Sequence, residues 1–478
     1  MPKPPSIGEI RALVNEMLDR LPPQIPIGAT VVFQVQPEKE SSFLRSIDEL
    51  AESTRRLRGC STFSYHKHRP IPDIIDYQYL ISESWESVEL FRHQWNSEHL
   101  IKFQDAIGGM VTAPPALNFY NGSDDVGGAP VGKTGARQCW DWQGNIIPCA
   151  GTGQDGDVQA GEPIASPRFT DNQNGTVTDH QTNLTFLKNA DRFGQVNWEQ
   201  ALLNARGLAS GSGGLNDGSV AGDWRLPNIR ELRSLIDYSS VEFAVLPPDN
   251  PFENVQVGIY WSSTSLTASP LLAWMSTLGI GPSVFDVKAS ANHMWPVRGG
   301  MGKQARLVKT GQKGCWDGLG KLINGAGSGQ DGDVQAGVPF PAPRFILNGN
   351  GTVMDKLTGL VWLQNANPFG WNNWQASLDL CNNLKHGEAG LTDNSKAGDW
   401  RLPNVNEVES IIDFGMVAPC LPQGHPFDNV GPTSYWTSTT VASAPSQAMF
   451  TIFGVGPSIF ENKEHPFLAW PVRDGKSG

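Results

Sequence analysis

Two short acidic loops are the first places in this 478-residue chain where residue type and spacing could do chemistry. They read Gln154-Asp155-Gly156-Asp157 and Gln330-Asp331-Gly332-Asp333, each preceded by Gly-x-Gly. Two carboxylates on a flexible loop offer hard oxygen ligands of the kind Ca²⁺ takes. Asp155, Asp157, Asp331 and Asp333 are therefore the candidate metal ligands. The full twelve-residue calcium-loop pattern is absent, so a polar turn is the favoured reading and Ca²⁺ the only cofactor to weigh against none. Cys139 and Cys149 bracket Trp-Asp-Trp-Gln-Gly-Asn-Ile-Ile-Pro, a hairpin-like loop with Gly144 at its turn. They are placed to bridge in an oxidising setting. Cys315 recurs, but Gly325 stands where Cys149 would, so the fold does not need the bridge. No Ser-His-Asp, His-Glu-x-x-His or phosphate-loop spacing is present. The histidines do not recur either: His180 aligns with Lys356 and His425 with Asn250. A catalytic centre shared by both loops' surroundings is not expected.

The elements that must position these loops come in duplicate. Ala221-Gly222-Asp223-Trp224-Arg225-Leu226-Pro227-Asn228 returns unchanged as residues 397–404. Gly135, Cys139, Arg168-Phe169, Gly175-Thr176-Val177 and Trp198 return at the same offset of 176, which becomes 175 for Trp261, Gly281 and Trp295. Internal identity at so long a period marks two large copies, not solenoid units. Within the motif, Asn228 with Glu231 and Asn404 with Glu407 are capping-box pairs opening helices with apolar faces. Trp-Arg-Leu-Pro is an extended entry, since Pro disfavours helix at the residue before it. A buried Trp and Leu with Arg paired to a carboxylate is the structural reading. Asn174-Gly175 and Asn350-Gly351 are hairpin turns, and short strands around residues 260–264, 273–278 and 294–298 close the first copy.

Residues 6–21 carry apolar positions at helical spacing, and Pro22-Pro23 stops them. Residues 30–36, 60–68, 75–83 and 116–120 read as strands, and residues 38–57 and 87–107 as helices. The first helix ends at Gly59, and the middle strands are joined by a turn at Pro70 and Pro72. The order βαββαβ is ferredoxin-like. Gly59-Cys60, Glu83-Ser84-Trp85-Glu86-Ser87, and His93 with His99 and Phe103 make this region resemble the antibiotic biosynthesis monooxygenase-like domains. That resemblance implies dimers formed through the sheets. It also implies, for some members, cofactor-free oxidation of quinol-like aromatics or haem degradation. The haem degraders rely on a first-strand Asn, a Trp and a helical His; Trp85 and His93 match the last two, and the first strand has no Asn. Trp85 and His93 are the candidate catalytic residues if the domain is an enzyme.

The duplicated region resembles the C-terminal domain of a bacterial collagen-like adhesin, the Lcl C-terminal-like family. Four motifs carry it twice: Arg-Phe-x-x-Asn-x-Asn-Gly-Thr-Val-x-Asp, Asp-Trp-Arg-Leu-Pro-Asn-x-x-Glu, Tyr-Trp-[Ser/Thr]-Ser-Thr and Trp-Pro-Val-Arg. The resemblance implies a C-type-lectin-like layout used for display and binding. The expected organisation is α+β throughout: a helix at 1–26, a ferredoxin-like domain at 27–120, a linker at 121–133, repeats at 134–300 and 308–475, and a linker at 301–307. Loops that differ between copies flank the shared motifs at 209–220, 266–271, 385–396 and 441–446. They place Asn216, Asp217, Ser219, Thr392, Asp393 and Asn394 as candidate binding residues.

Net charge is −12, which argues against nucleic acid or a sulfated polymer as a general partner. No apolar run reaches membrane-spanning length, so membrane insertion is not expected. Met-Pro-Lys-Pro-Pro lacks the apolar core of a secretory signal. That gives the cytoplasm as the expected compartment, with non-classical export as the alternative. The expected function is a non-catalytic binding and assembly protein: a homodimer through its N-terminal domain, with two lectin-like modules per chain for a glycan or protein ligand. The competing expectation is a cofactor-free oxygenase with the repeats as targeting modules.

Overall fold

The computed structural model describes the chain except residues 1–6, 22, 24–26, 59, 69–76, 122–128, 213, 240–245, 248–249, 280, 303–304 and 476–478. The expected end at Gly59 and the turn at Pro70 and Pro72 lie outside the described residues. Two compact units separate: residues 1–126 with the short segment 341–349, and the remainder.

In the first unit the elements are α1 (Ile7–Asp19), β1 (Ile27–Val35), α2 (Glu40–Arg55), β2 (Cys60–His68), β3 (Tyr77–Trp85), α3 (Val88–Trp95), α4 (Glu98–Ile107) and β4 (Ala116–Asn121). The strands form one sheet in the order β2-β3-β1-β4, and β1 pairs antiparallel with both neighbours. Alternate residues of β1 (Ile27, Ala29, Val31, Phe33 and Val35) are buried, as the period of two requires. They meet Phe43, Ile47 and Leu50 of α2 and Phe103 of α4, with Phe33 and Phe103 edge to face. Val14 and Leu18 of α1 belong to this same core, so the first helix packs on the domain it precedes. The single helix expected over residues 87–107 is two. Ser87 caps the first by accepting the Leu90 N–H at 3.2 Å, and Ser97 caps the second by accepting that of Leu100 at 3.4 Å. A second N-cap inside an apolar pattern starts a new helix without disturbing the buried face.

In the second unit each copy has a body of sheets and two helices. The first body has strands Phe169–Asp171, Thr176–Asp179, Leu184–Leu187 and Val297–Gly299 in one sheet, and Ile259–Ser265, Leu272–Thr277 and Ser283–Val287 in another. The second repeats the latter as Ser434–Thr440, Gln447–Ile452 and Ser458–Asn462. Helices Trp198–Gly207 and Trp374–Asn383 pack against these sheets through Trp198 and Trp374, whose indole N–H groups each donate at 2.7 Å, to the carbonyls of Ser262 and Thr437.

The shared motif does what its residues dictate. Asn228 Oδ1 accepts the Glu231 N–H at 3.0 Å, and Glu231 Oε2 accepts the Asn228 N–H at 2.9 Å. Arg225 closes on the same carboxylate with two bonds of 2.6 Å. Arg401, Asn404 and Glu407 repeat this. Two parallel N–H···O bonds to a buried carboxylate fix the cap helix to the strand that enters it.

The sequence repeat and the packing unit do not coincide. Residues 129–165, which precede the first body, lie against the second body. Thr439 Oγ1 donates to Asp155 at 2.6 Å, Asn404 Nδ2 to the Ala160 carbonyl at 3.2 Å, and Asn406 Nδ2 to the Gly132 carbonyl at 3.0 Å. Residues 308–340, which precede the second body, lie against the first. Thr264 Oγ1 donates to Asp331 at 2.7 Å and Asn228 Nδ2 to the Ala336 carbonyl at 3.4 Å. Each arm touches its own copy at its start, where Tyr238 N–H donates to the Thr134 carbonyl and Phe414 N–H to that of Thr310, and the first arm also at its end, where Ala165 N–H donates to Gln181.

Candidate functional sites

Within the first unit, the β3 pattern Tyr79, Ile81, Glu83, Trp85 points inward, so one carboxylate enters the core. Glu83 lines a cavity of about 50 Å³ together with Phe33, Phe63, Trp95, Phe103 and Gln94. Burial pushes its carboxyl up to about 7, while the Trp85 indole N–H, donating to Glu83 at 3.0 Å, works in the opposite direction. Trp85 is buried, with its ring edge-on to Phe91 and its N–H given to Glu83. His93 is exposed on α3, and neither residue lines the cavity. The structure therefore does not bring Trp85 and His93 into a common site. Glu83, which sequence reasoning had only as part of a family motif, is the ionisable side chain lining the cavity; strict alternation along β3 was the signal for it.

In the second unit, the acidic loops become the first turn of one-turn helices, Asp155–Val158 and Asp331–Val334. Asp155 Oδ2 accepts from Thr134 and Thr439, and Asp157 Oδ2 from the Gly153 N–H at 3.0 Å. Asp331 and Asp333 are used in the same way, by Thr264 and Gly329. Each pair thus serves two separate hydrogen-bond sets. Among the described residues, no group of three or more His, Cys, Asp or Glu side chains is placed to hold a metal ion. Burial pushes Asp155 and Asp331 up to about 6. Cys139 and Cys149 are bonded, with Cα atoms 5.2 Å apart, and Cys315 is a buried free thiol.

The six candidate binding residues divide. Asp217 accepts from the Ser219 N–H and hydroxyl and faces Arg298 at 3.1 Å with its own side chain fully covered. Ser219 in turn accepts the Trp224 indole N–H at 3.0 Å. Asp393 holds Ser395 and Arg473 in the same way. Asp217, Ser219 and Asp393 thus anchor their loops from inside and are not available to a ligand. Asn216, Thr392 and Asn394 are exposed. The loops at 266–271 and 441–446 are partly occupied: a Cβ on Gly320 would stand 2.8 Å from Leu271 N, and one on Gly144 3.1 Å from Ser446 N. The hairpin tips of the arms rest on them.

Sequence reasoning missed the groups that hold those hairpins. Lys463 Nζ donates to the carbonyls of Trp140 (3.5 Å) and Asp141 (3.3 Å), 4.1 Å from the Trp374 ring centre. Lys288 does the same for Trp316 (3.1 Å) and Asp317 (3.3 Å), 4.0 Å from the Trp198 ring. Burial pushes Lys463 down to about 7 and Lys288 to about 8. Their recurrence at one offset was the available signal. A cleft of about 310 Å³ runs along the seam between the copies, lined by Arg168, Arg230, Arg233, Asp237, Asn406 and Glu409 among others. Three of its guanidinium groups are engaged: Arg168 with Asp179, Arg233 with Glu409 at 2.7 Å, and Arg230 with the Glu409 carbonyl at 2.7 Å.

The paired bodies, with their capping boxes, are matched by the model for the Lcl C-terminal domain at residues 175–298 and 351–473, together over half of the chain; the chain belongs to that family. Residues 26–106 match the antibiotic biosynthesis monooxygenase model, and the first unit is a domain of that kind. Solved structures align with the same part of the chain. A Nitrosomonas europaea protein assigned by name to the antibiotic biosynthesis monooxygenases is 14% identical, covering 22% of this chain and 94% of its own, with a TM-score of 0.19. A conserved protein of unknown function from Bacteroides thetaiotaomicron, described as a possible oxidoreductase, is 15% identical over 20% and 98%, with a TM-score of 0.18. A conserved protein from Methanosarcina mazei is 19% identical over 20% and 93%, again at 0.18. No curated protein matches the chain. Among the described residues no helix is long and apolar enough to cross a membrane.

Proposed function

We propose that the protein is a non-catalytic binding and assembly protein, a homodimer through its N-terminal domain whose two modules display lectin-like loops to a glycan or protein ligand. The observation that supports this is the anchoring of one loop in both copies. Asp217 and Ser219 tie the first to Arg298 and Trp224, and Asp393 ties the second to Ser395 and Arg473. Above the anchors, Asn216 faces solvent in one copy, and Thr392 and Asn394 in the other. A rigid base under chemically different exposed tips is the arrangement by which loops acquire separate specificities. A glycan and protein-ligand screen of the full chain tests it. Asn216→Ala should remove one set of ligands, and Thr392→Ala with Asn394→Ala another. An unchanged profile for both would place the binding surface elsewhere. Sedimentation of the full chain at micromolar concentration should give a dimer.

Glu83 favours a second reading, a cofactor-free oxygenase of quinol-like aromatics, because a carboxyl near 7 in an apolar cavity suits proton abstraction. Size works against it. The cavity holds about 50 Å³, whereas an engineered cavity known to accept benzene has about 150 Å³. An assay for quinol oxidation by the full chain and its Glu83→Gln variant separates the readings. Turnover that the variant loses would favour the oxygenase.

A further inference from the structure

The groove that receives each arm is built from the residues that recur most strictly. Asn228 and Asn404 cap their helices with one side-chain atom and hold the Ala336 and Ala160 carbonyls with the other. Thr264 and Thr439, at the end of the Tyr-Trp-x-Ser-Thr strand, use one hydroxyl twice. Each donates to an arm aspartate and accepts an N–H at the start of the cap helix, from Ile229 and Val405 at 3.1 Å. Lys288 and Lys463 close the far end on two hairpin carbonyls. The arms recur just as closely. Both carry Gly-Gln-Asp-Gly-Asp-Val-Gln-Ala-Gly, and in both the Gln side chain clamps the hairpin through the N–H and carbonyl of Trp140 or Trp316. In both, the residue after the helical turn, Gln159 or Gln335, sits in the left-handed region. These contacts recur in both grooves; beyond them, Gln312 of the second arm also bonds the Ser265 N–H and carbonyl, where the first arm has Ala136. What the two grooves share is recognition of the arm segment itself.

We propose that each groove is a receptor for this arm segment, and that a groove left open accepts an arm from a second copy of the chain. Assembly by arm exchange then adds to pairing through the N-terminal domain; it rests on the reading of the chain as an assembly protein, but uses a surface distinct from the display loops. An open groove leaves a Thr hydroxyl, a cap amide and a buried ammonium without the acceptors they have in the closed state. Unsatisfied buried donors of this kind are costly and favour recapture of a matching segment. The arm supplies all three acceptors: the Asp155 carboxylate, the Ala160 carbonyl and the Trp140 and Asp141 carbonyls.

The test opens one groove in the full chain. Asp155→Ala removes the carboxylate of the first arm and should raise amide hydrogen exchange at least tenfold over residues 137–160, with residues 314–336 unchanged. A synthetic peptide of residues 134–161, with its two cysteines bridged, should then bind this variant at one per chain. Wild type, with both grooves filled, should not bind it. A peptide carrying Asp155→Ala should bind at least tenfold more weakly. Increased exchange in residues 314–336, and not 137–160, when the body-side residue is changed by Thr439→Val would mean that the arms dock on their own copies and would overturn the proposal. So would failure of the peptide to bind a variant whose arm is released, or equal binding to wild type. Thr439→Val opens the same groove from the body side, should raise exchange over residues 137–160, and serves for the peptide test if Asp155→Ala does not fold. Ligand screening of the display loops is independent of these outcomes, so the two readings fail separately.

Discussion

The two packed modules have nearly the same contacts and opposite connectivity. The first body and the arm it holds are continuous in sequence, residues 169–340, while the second body holds an arm that lies before the whole first body. Thr264 and Thr439 make equivalent bonds of 2.7 and 2.6 Å, and Lys288 and Lys463 equivalent ion–carbonyl contacts. What differs is the entropy of closing the contact, which grows slowly with the length of chain enclosed. The bodies specify the groove, and the two modules differ chiefly in the length of chain that each arm's docking encloses.

The seam breaks the symmetry most plainly at one charge pair. Arg233 and Glu409 occupy the same position in the two copies and face one another at 2.7 Å, both largely buried. Copy 1 against copy 1 would set Arg against Arg, and copy 2 against copy 2 Glu against Glu. The largest expected effect follows. Glu409→Arg should destabilise the double module by about 3–5 kcal/mol, the usual result of leaving a buried charge without its partner. The exchange Arg233→Glu with Glu409→Arg should recover most of that loss. Denaturant unfolding of wild type and the two variants measures it, and no recovery in the double variant would mean that the pair does not act through its charges.

The bridge is the next difference between the modules. Cys139 and Cys149 close a short loop in the first arm, and Cys139→Ser should cost roughly 2–3 kcal/mol under oxidising conditions. The second arm lacks the bridge, yet a Cβ on Gly325 would stand 2.5 Å from Cys315 Sγ. Gly325→Cys should therefore form a Cys315 bridge, seen by mass spectrometry as a loss of two hydrogens, and should bring the arms closer in resistance to unfolding. Two free thiols in that variant after air oxidation would count against this geometry.

Much of this was legible in the residues. The duplication, the capping boxes, the Arg–Glu clamp and the ferredoxin-like order follow from motif spacing and periodicity. The exchange of arms was not, for a physical reason: Asn228 and Asn404, Thr264 and Thr439, Lys288 and Lys463 are identical pairs, so the residues that build the grooves do not say which arm each body takes. The loop aspartates were misleading for a related reason. Asp217 and Asp393 have the polarity of a displayed loop, but a neighbouring Ser and a distant Arg draw them inward, and only the fold places Arg298 and Arg473 beside them. Polar turns were favoured over Ca²⁺ loops around Asp155 and Asp331, but the sequence does not show that hydroxyls contributed by the opposite copy bond those carboxylates.

The smallest expected difference is the most exacting test of equivalence. Burial pushes both Asp155 and Asp331 up to about 6, against an ordinary value of 3.8, and each carboxylate accepts Thr hydroxyls from its own arm and from the opposite body. The native state then binds a proton more tightly than the unfolded chain. The resulting stabilisation is fully present below about pH 3.8 and is lost as pH rises through about 6. Asp155→Asn and Asp331→Asn keep an oxygen to accept the Thr hydroxyls but remove the titration. Relative to wild type, each variant should therefore lose the fall in stability between about pH 4 and pH 6, by the same amount in both. Unfolding free energies measured across that range decide it. A change confined to one variant would show that the two arms, alike in sequence and contacts, do not sit in equally dry grooves, and that the longer path closing the second module loosens its fit.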